Sequence, residues 1–166
     1  MRHPCRLAGL AASALIAVAA PAAVPSDQDF IEAAANGGML EVELGKLAAR
    51  DATDPEVRAF AERMADDHTK LNQELKSLAE RLGLELPPAM GEKQRDTLAK
   101  LSKLRGPAFD KVYVETMVEE HEDAVAAFRA QADEKNGDLD RWASMTLAML
   151  ETHQEHAERL AKRIGG

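Results

Sequence analysis

Four apolar stripes at helical spacing run through this chain, and each is interrupted near its middle by one polar residue: Glu41, His68, His121 and His153. Alternating steps of three and four residues return side chains to one face of a helix. The stripes therefore predict four amphipathic helices that pack through their apolar faces, with the polar residues pointing into the shared core. Burying a polar group without a partner costs roughly 2–7 kcal/mol, and a charge costs more, against a domain stability of about 5–15. Four such residues must satisfy one another or a bound ion.

The first stripe is Phe30, Ala34, Gly37, Glu41, Leu44 and Ala48, ending at Thr53-Asp54-Pro55. The second opens on a capping aspartate with proline at the first helical position and carries Val57, Ala61, Met64, His68, Leu71, Leu75, Leu78 and Leu82 before Gly83. After Gly106-Pro107 come Phe109, Val114, Met117, His121, Ala124 and Phe128, with an end near Asn136-Gly137. The last holds Leu139, Ala143, Thr146, Leu150, His153, Ala157, Leu160 and Ile164. With aromatic residues at 4 % and no β-branched run, nothing competes with helix. Asn36-Gly37-Gly38 reads locally as a turn, and each helical glycine costs about 1 kcal/mol relative to alanine. The stripe nevertheless resumes in phase at Glu41 and Leu44, so a continuous helix is expected.

The connections near Thr53 and Asn136 are short and make antiparallel pairs of helices one with two and three with four. Between the pairs lies a long stretch from Gly83 to Gly106, containing Pro87-Pro88 and a short amphipathic helix marked by Leu98, Leu101 and Leu104, expected to lie across the bundle. The expected fold is all-α, a ferritin-like four-helix bundle whose long two-to-three connection contains a short helix. Glu41 and His68 sit about twelve and fifteen residues from the first tight turn, and His121 and His153 about fifteen and seventeen from the second. All four then fall near one level.

Three histidines and a carboxylate at one depth are a ligand set for a transition-metal ion, with copper, zinc or iron as candidates. Glu41 is expected as a fourth ligand or as an acceptor behind an imidazole. Met64, Met117 and Met149 each precede a histidine by four residues and are expected to share its face, which would suit copper; methionine is also an ordinary core filler. Asp67 is the best placed carboxylate to orient an imidazole or to join the ligand set. His156 lies at the edge of its stripe, either behind the site or exposed. Tyr113, two turns before His121, is placed either to reach the cavity rim or, as is commoner, to pack its ring and wet its hydroxyl.

Arg2, His3 and Arg6 precede an uncharged apolar run from Leu7 to Ala20 and the small residues Ala20-Pro21-Ala22, the pattern of a secretory signal peptide. The expected organisation is a signal peptide over 1–23 and one helical domain over 27–166. That run is shorter than the roughly 20 residues of a membrane span, so no insertion is expected after cleavage. Cys5, the single cysteine, precedes the run, so disulfides, thiolate metal sites and CxxCH haem attachment are not available. The formal charge of −8 disfavours nucleic acid and anionic lipid as partners. Protein partners and oligomeric state are left open. Phosphate-binding loops, nucleophile motifs and HExxH do not occur, which argues against hydrolytic and nucleotide chemistry.

Ala34-Ala35, Gly37-Gly38-Met39, Glu41-Val42, Leu44-Gly45, Leu47-Ala48, Phe60, Met64, Asp67-His68, Phe109-Asp110, Tyr113, His121, Leu147, Leu150 and His153 together resemble the exported bacterial bundles known as domain of unknown function 4142. The family pattern often has proline where this chain has Ala148. The resemblance implies a ferritin-like four-helix fold, a signal peptide and a periplasmic or envelope location in a bacterium. It implies no activity. Di-iron members of the wider ferritin-like class use Glu-x-x-His on two helices. Here Ala65, Val118 and Leu150 stand three residues before the histidines, so a mononuclear site is the sharper expectation. Two function classes follow: an exported metal-binding bundle, or a metal-free structural or stress-related envelope protein acting through protein contacts, whose polar level fixes helix register.

Overall fold

The computed structural model describes residues 26–134 and 137–165. The expected signal peptide and Asn136 lie outside the described residues. Five helices and no strand occur among the described residues: α1 (Asp27–Asp51), α2 (Pro55–Leu82), α3 (Glu92–Leu101), α4 (Gly106–Asp133) and α5 (Asp138–Gly165). Local chemistry accounts for their ends. Ser26 caps α1 in a reciprocal box with Asp29, while the Asp54 carboxylate accepts from the amides of Glu56 and Val57 and Pro55 supplies the first helical φ of α2. Gly83 closes α2 at φ 68°, in the left-handed region that glycine adopts without strain.

Helices α1 and α2 pair along their length, as do α4 and α5, and the pairs meet through α1 against α4 and α2 against α5. The 83–105 connection follows α1 from one end of the bundle to the other. Gln28 exchanges two hydrogen bonds with the backbone of Glu85, and the Asn36 side chain accepts from the Gly91 amide. Helix α3 then packs on α1 and α4. The short helix therefore runs in the groove beside α1, and α4 starts at the end where α1 finishes. One long crossover and two tight hairpins make the ferritin-like arrangement.

Buried acids pin the two hairpins. Asp110 of α4 accepts from the amides of Thr53 and Asp54 and from the Thr53 hydroxyl, at 2.5–3.0 Å, which fixes the α1–α2 turn. At the far end Gln131 donates to Asp27 and Asp140, and Asp140 accepts from the Gly137 amide. Asp54 also receives both guanidinium nitrogens of Arg163 at 2.8 Å, so its carboxyl sits at about 2, held there by the Arg163 hydrogen bonds.

The core falls into two apolar layers. One, near the α1–α2 turn, contains Leu44, Phe60, Met64, Tyr113 and Met117; the other holds Phe30, Leu75, Phe128, Ala143 and Leu150. Residues 41, 68, 121 and 153 lie between them. The stripes were too narrow for α1, where Ile31 and Leu40 are fully buried although neither was placed in the seam. This helix contacts α2, α3 and α4, so more than one face is covered. Conversely Leu82, assigned to the second stripe, is 39 % exposed because the bundle ends there.

Glycine at 45 has a packing role. A Cβ there would lie 2.8 Å from both the Ala61 carbonyl oxygen and the Ala65 amide nitrogen, backbone atoms of α2 that cannot swing aside. Gly45→Ala is expected to lower stability by about 1–3 kcal/mol through overpacking, whereas Gly37→Ala, which meets nothing within 4 Å, is expected to raise it by about 0.5–1. Urea denaturation of the two variants checks the contrast.

Candidate metal centre

The α1–α2 and α4–α5 hairpins bring Glu41, His68, His121 and His153 to one level, with exposures of 4 %, 2 %, 0 % and 2 %. The three imidazole centroids form a nearly equilateral triangle with sides of 5.5–5.6 Å. One ring nitrogen from each histidine lies within 4.8 Å of the other two.

Each imidazole is held from behind by an oxygen that accepts only. Glu41 places Oε2 2.7 Å from His68 Nδ1 and Oε1 3.4 Å from His121 Nδ1. His121 Nδ1 is also 2.9 Å from the Met117 carbonyl oxygen. His153 Nε2 lies 3.2 Å from Asp67 Oδ2. A carbonyl or carboxylate can receive but not donate, so the proton resides on His68 Nδ1, His121 Nδ1 and His153 Nε2. The lone pairs are then on His68 Nε2, His121 Nε2 and His153 Nδ1. Those three nitrogens are buried and have no hydrogen-bond partner in the protein. The tautomers fixed from outside thus leave three basic atoms unpartnered on the other edges of the rings.

Electrostatics keep the lone pairs of His121 and His153 free. Burial, followed by the neighbouring imidazoles, pushes His153 down to about 4. Burial also lowers His121, against the opposing pull of Glu41. Burial raises the Glu41 carboxyl, but His68, His121 and His153 together outweigh it and the net direction is down. At neutral pH the level therefore combines neutral imidazoles on His121 and His153 with an ionised carboxylate. Three imidazoles, each backed by an acceptor and presenting an unused nitrogen, suit a divalent transition metal with a fourth position open.

Several expectations about individual side chains change. Glu41 bridges the outer nitrogens of two histidines, which makes it an orienting acceptor; its oxygens are engaged behind the rings. Asp67 stands behind His153. Met64 and Met117 are fully buried in the adjacent apolar layer, but Met149 is only half-buried beside the other layer, so the three thioethers do not line one cavity. The α5 seam steps from Thr146 to Leu150 to His153, leaving position 149 at its edge. His156 is half-buried and packs edge-on to Phe60 at 4.9 Å, away from the triad. Tyr113 is fully buried, stacked on Phe109, and its hydroxyl has no partner, contrary to the expected wet hydroxyl. Burial and then the Glu41 charge push that phenol far above its ordinary value.

The family model described as "Domain of unknown function (DUF4142)" matches residues 12–160. The chain belongs to this family. Solved structures that share its fold include two DUF305 proteins. A DUF305 protein from Streptomyces coelicolor, whose description includes the words "secreted protein", superposes with a TM-score of 0.69 at 16 % identity, over 82 % of this chain and 92 % of that one. A DUF305 fragment from Deinococcus radiodurans gives 0.72 at 15 % identity, over 83 % and 97 %. No curated protein matches the chain. At such identities the two DUF305 structures speak to the helical architecture alone. What this DUF4142 domain does must be argued from its own polar level.

Proposed function

We propose that this DUF4142 protein is an exported metal-binding bundle that holds one transition-metal ion between His68 Nε2, His121 Nε2 and His153 Nδ1. Glu41 orients His68 and His121 and supplies a negative charge; Asp67 orients His153. Two observations carry this reading: each histidine has one buried ring nitrogen without a partner in the protein, and one ring nitrogen of each lies within 4.8 Å of the other two. In a metal-free structural protein each would forfeit about 1–3 kcal/mol for nothing. Imidazole ligation suits zinc, copper and iron alike, and the half-buried position of Met149 removes one of the arguments for copper.

Export is supported by the basic start and apolar run of residues 2–20, and a mature domain beginning after residue 23 follows from it. Among the described residues no helix is long and apolar enough to cross a membrane. We place the mature protein in the periplasm or envelope of a bacterium. Three imidazoles held by the Glu41 and Asp67 carboxylates support a role in binding and transfer of the ion.

Thermal melting tests the reading. Zinc at about a hundred times its dissociation constant stabilises a one-site protein by about 2.7 kcal/mol, equivalent to roughly 5–10 °C for a chain this size. The rise is expected to be reversed by chelator and to be absent in His121→Leu. Equal melting temperatures with and without each of zinc, copper and iron would refute it.

A further inference from the structure

The metal level is shut in by the two apolar layers, yet one cleft reaches it from outside. The cleft has a volume of about 230 Å³, and its walls include both Glu41 and His68. At about 30 Å³ per molecule of liquid water this is space for roughly seven waters, enough for a divalent ion with much of its hydration shell. Its walls come mainly from α1, α2 and α4, with Lys93 and Gln94 of α3 and Trp142 and Leu150 of α5 completing them.

The Gly37-Gly38 pair shapes the passage. Two helical glycines side by side cost about 1 kcal/mol each relative to alanine, so a local use for them is called for. At position 38 the Asn72 carboxamide occupies the space a side chain would need, which turns that amide toward the α1 backbone. At position 37 there is open space, and Gly37, Gly38 and Asn72 all line the cleft. The charges along it are Glu120 and Asp123 of α4, Lys93, and Glu41 at the inner end. Three acids against one base make the passage attractive to cations.

We infer that this cleft is the route by which a divalent metal cation reaches and leaves the histidine triad, with Gly37 keeping it open and Asp123 drawing the ion in. The inference rests on the metal reading above and adds that the site exchanges its ion without unfolding of the bundle. A site closed off from solvent would instead trap the ion during folding.

Stopped-flow uptake of cobalt(II) by the metal-free full chain tests it, using Gly37→Phe to fill the open space and Asp123→Lys to reverse an exposed charge. Gly37→Phe is expected to slow both loading and chelator-driven release about tenfold while the dissociation constant changes by less than about threefold, because a blocked path alters rates and not equilibria. Asp123→Lys is expected to slow loading several-fold at low ionic strength, with the difference vanishing at about 1 M salt. Should Gly37→Phe not fold, the exposed Asp123 variant decides alone. Loading at wild-type rates in both variants overturns the route and leaves the metal site standing; so does a Gly37→Phe protein whose affinity falls in step with its loading rate. Wild-type protein that takes up none of cobalt, zinc, copper and iron overturns the metal reading and the route together.

Discussion

Replacing the whole polar level with leucine, as Glu41→Leu, His68→Leu, His121→Leu and His153→Leu together, is expected to make the protein more stable than its metal-free parent by roughly 1–4 kcal/mol. The four side chains occupy a layer between two apolar layers and are at most 4 % exposed. In the metal-free protein three imidazole nitrogens there have no partner in the protein, each worth about 1–3 kcal/mol of lost hydration, and the Glu41 carboxylate is buried as a charge. Against this stand the hydrogen bonds from His68 to Glu41, from His121 to the Met117 carbonyl and from His153 to Asp67. Asp67 remains partly solvated and beside Lys70, so losing His153 does not strand it. Leucine is close to histidine in volume and continues the seams of Leu44, Leu71, Val114 and Leu150. Chemical denaturation in the presence of chelator checks the sign. A quadruple variant less stable than metal-free wild type would mean that the level earns its place as a structural network, and the second function class would regain the ground.

Acid is expected to destabilise the metal-free protein over a range set by its buried histidines. His153 titrates at about 4 in the folded protein against 6.5 in the unfolded chain. Between these values the unfolded chain binds a proton that the folded one refuses, so stability falls as pH falls through that window and levels off below about 4. The loss from this residue alone is on the order of 3 kcal/mol. His121 is lowered in the same direction by burial. Glu41 is lowered too, so protonating it at still lower pH removes stability again, with the same sign. Melting temperatures taken from pH 7.5 to 4 should therefore decline steadily, whereas in the all-leucine variant the decline over this range should be much shallower. A flat profile in the parent would show that the histidines are already charged or solvated, against the geometry of the level.

Much of this was legible because the helices are long and their periodicity is regular. Residues 68, 121 and 153 fall at seam positions, and a helix allows no other place for them than the core. The continuity of α1 through Gly37-Gly38 was also readable, since the stripe keeps its phase across the pair. Ile31 and Leu40 were missed for a tertiary reason: α3 packs on α1, and the wide buried face that results depends on a crossover whose path no local pattern specifies. The role of Glu41 lay beyond spacing for a different reason. Whether a carboxylate faces the centre or stands behind a ring depends on side-chain torsions, and here both of its oxygens are taken by Nδ1 atoms. Tyr113 misled because a phenol usually finds water, whereas Phe109 and Phe60 enclose this one.

The central claim is that three specific nitrogens, His68 Nε2, His121 Nε2 and His153 Nδ1, converge on one ion. X-ray absorption on zinc-loaded protein, after excess metal is removed, measures this most directly. The account expects one zinc per chain with three imidazole nitrogens at about 2.0–2.1 Å. A shell of oxygens with one imidazole or none, or protein that retains no zinc, would contradict it.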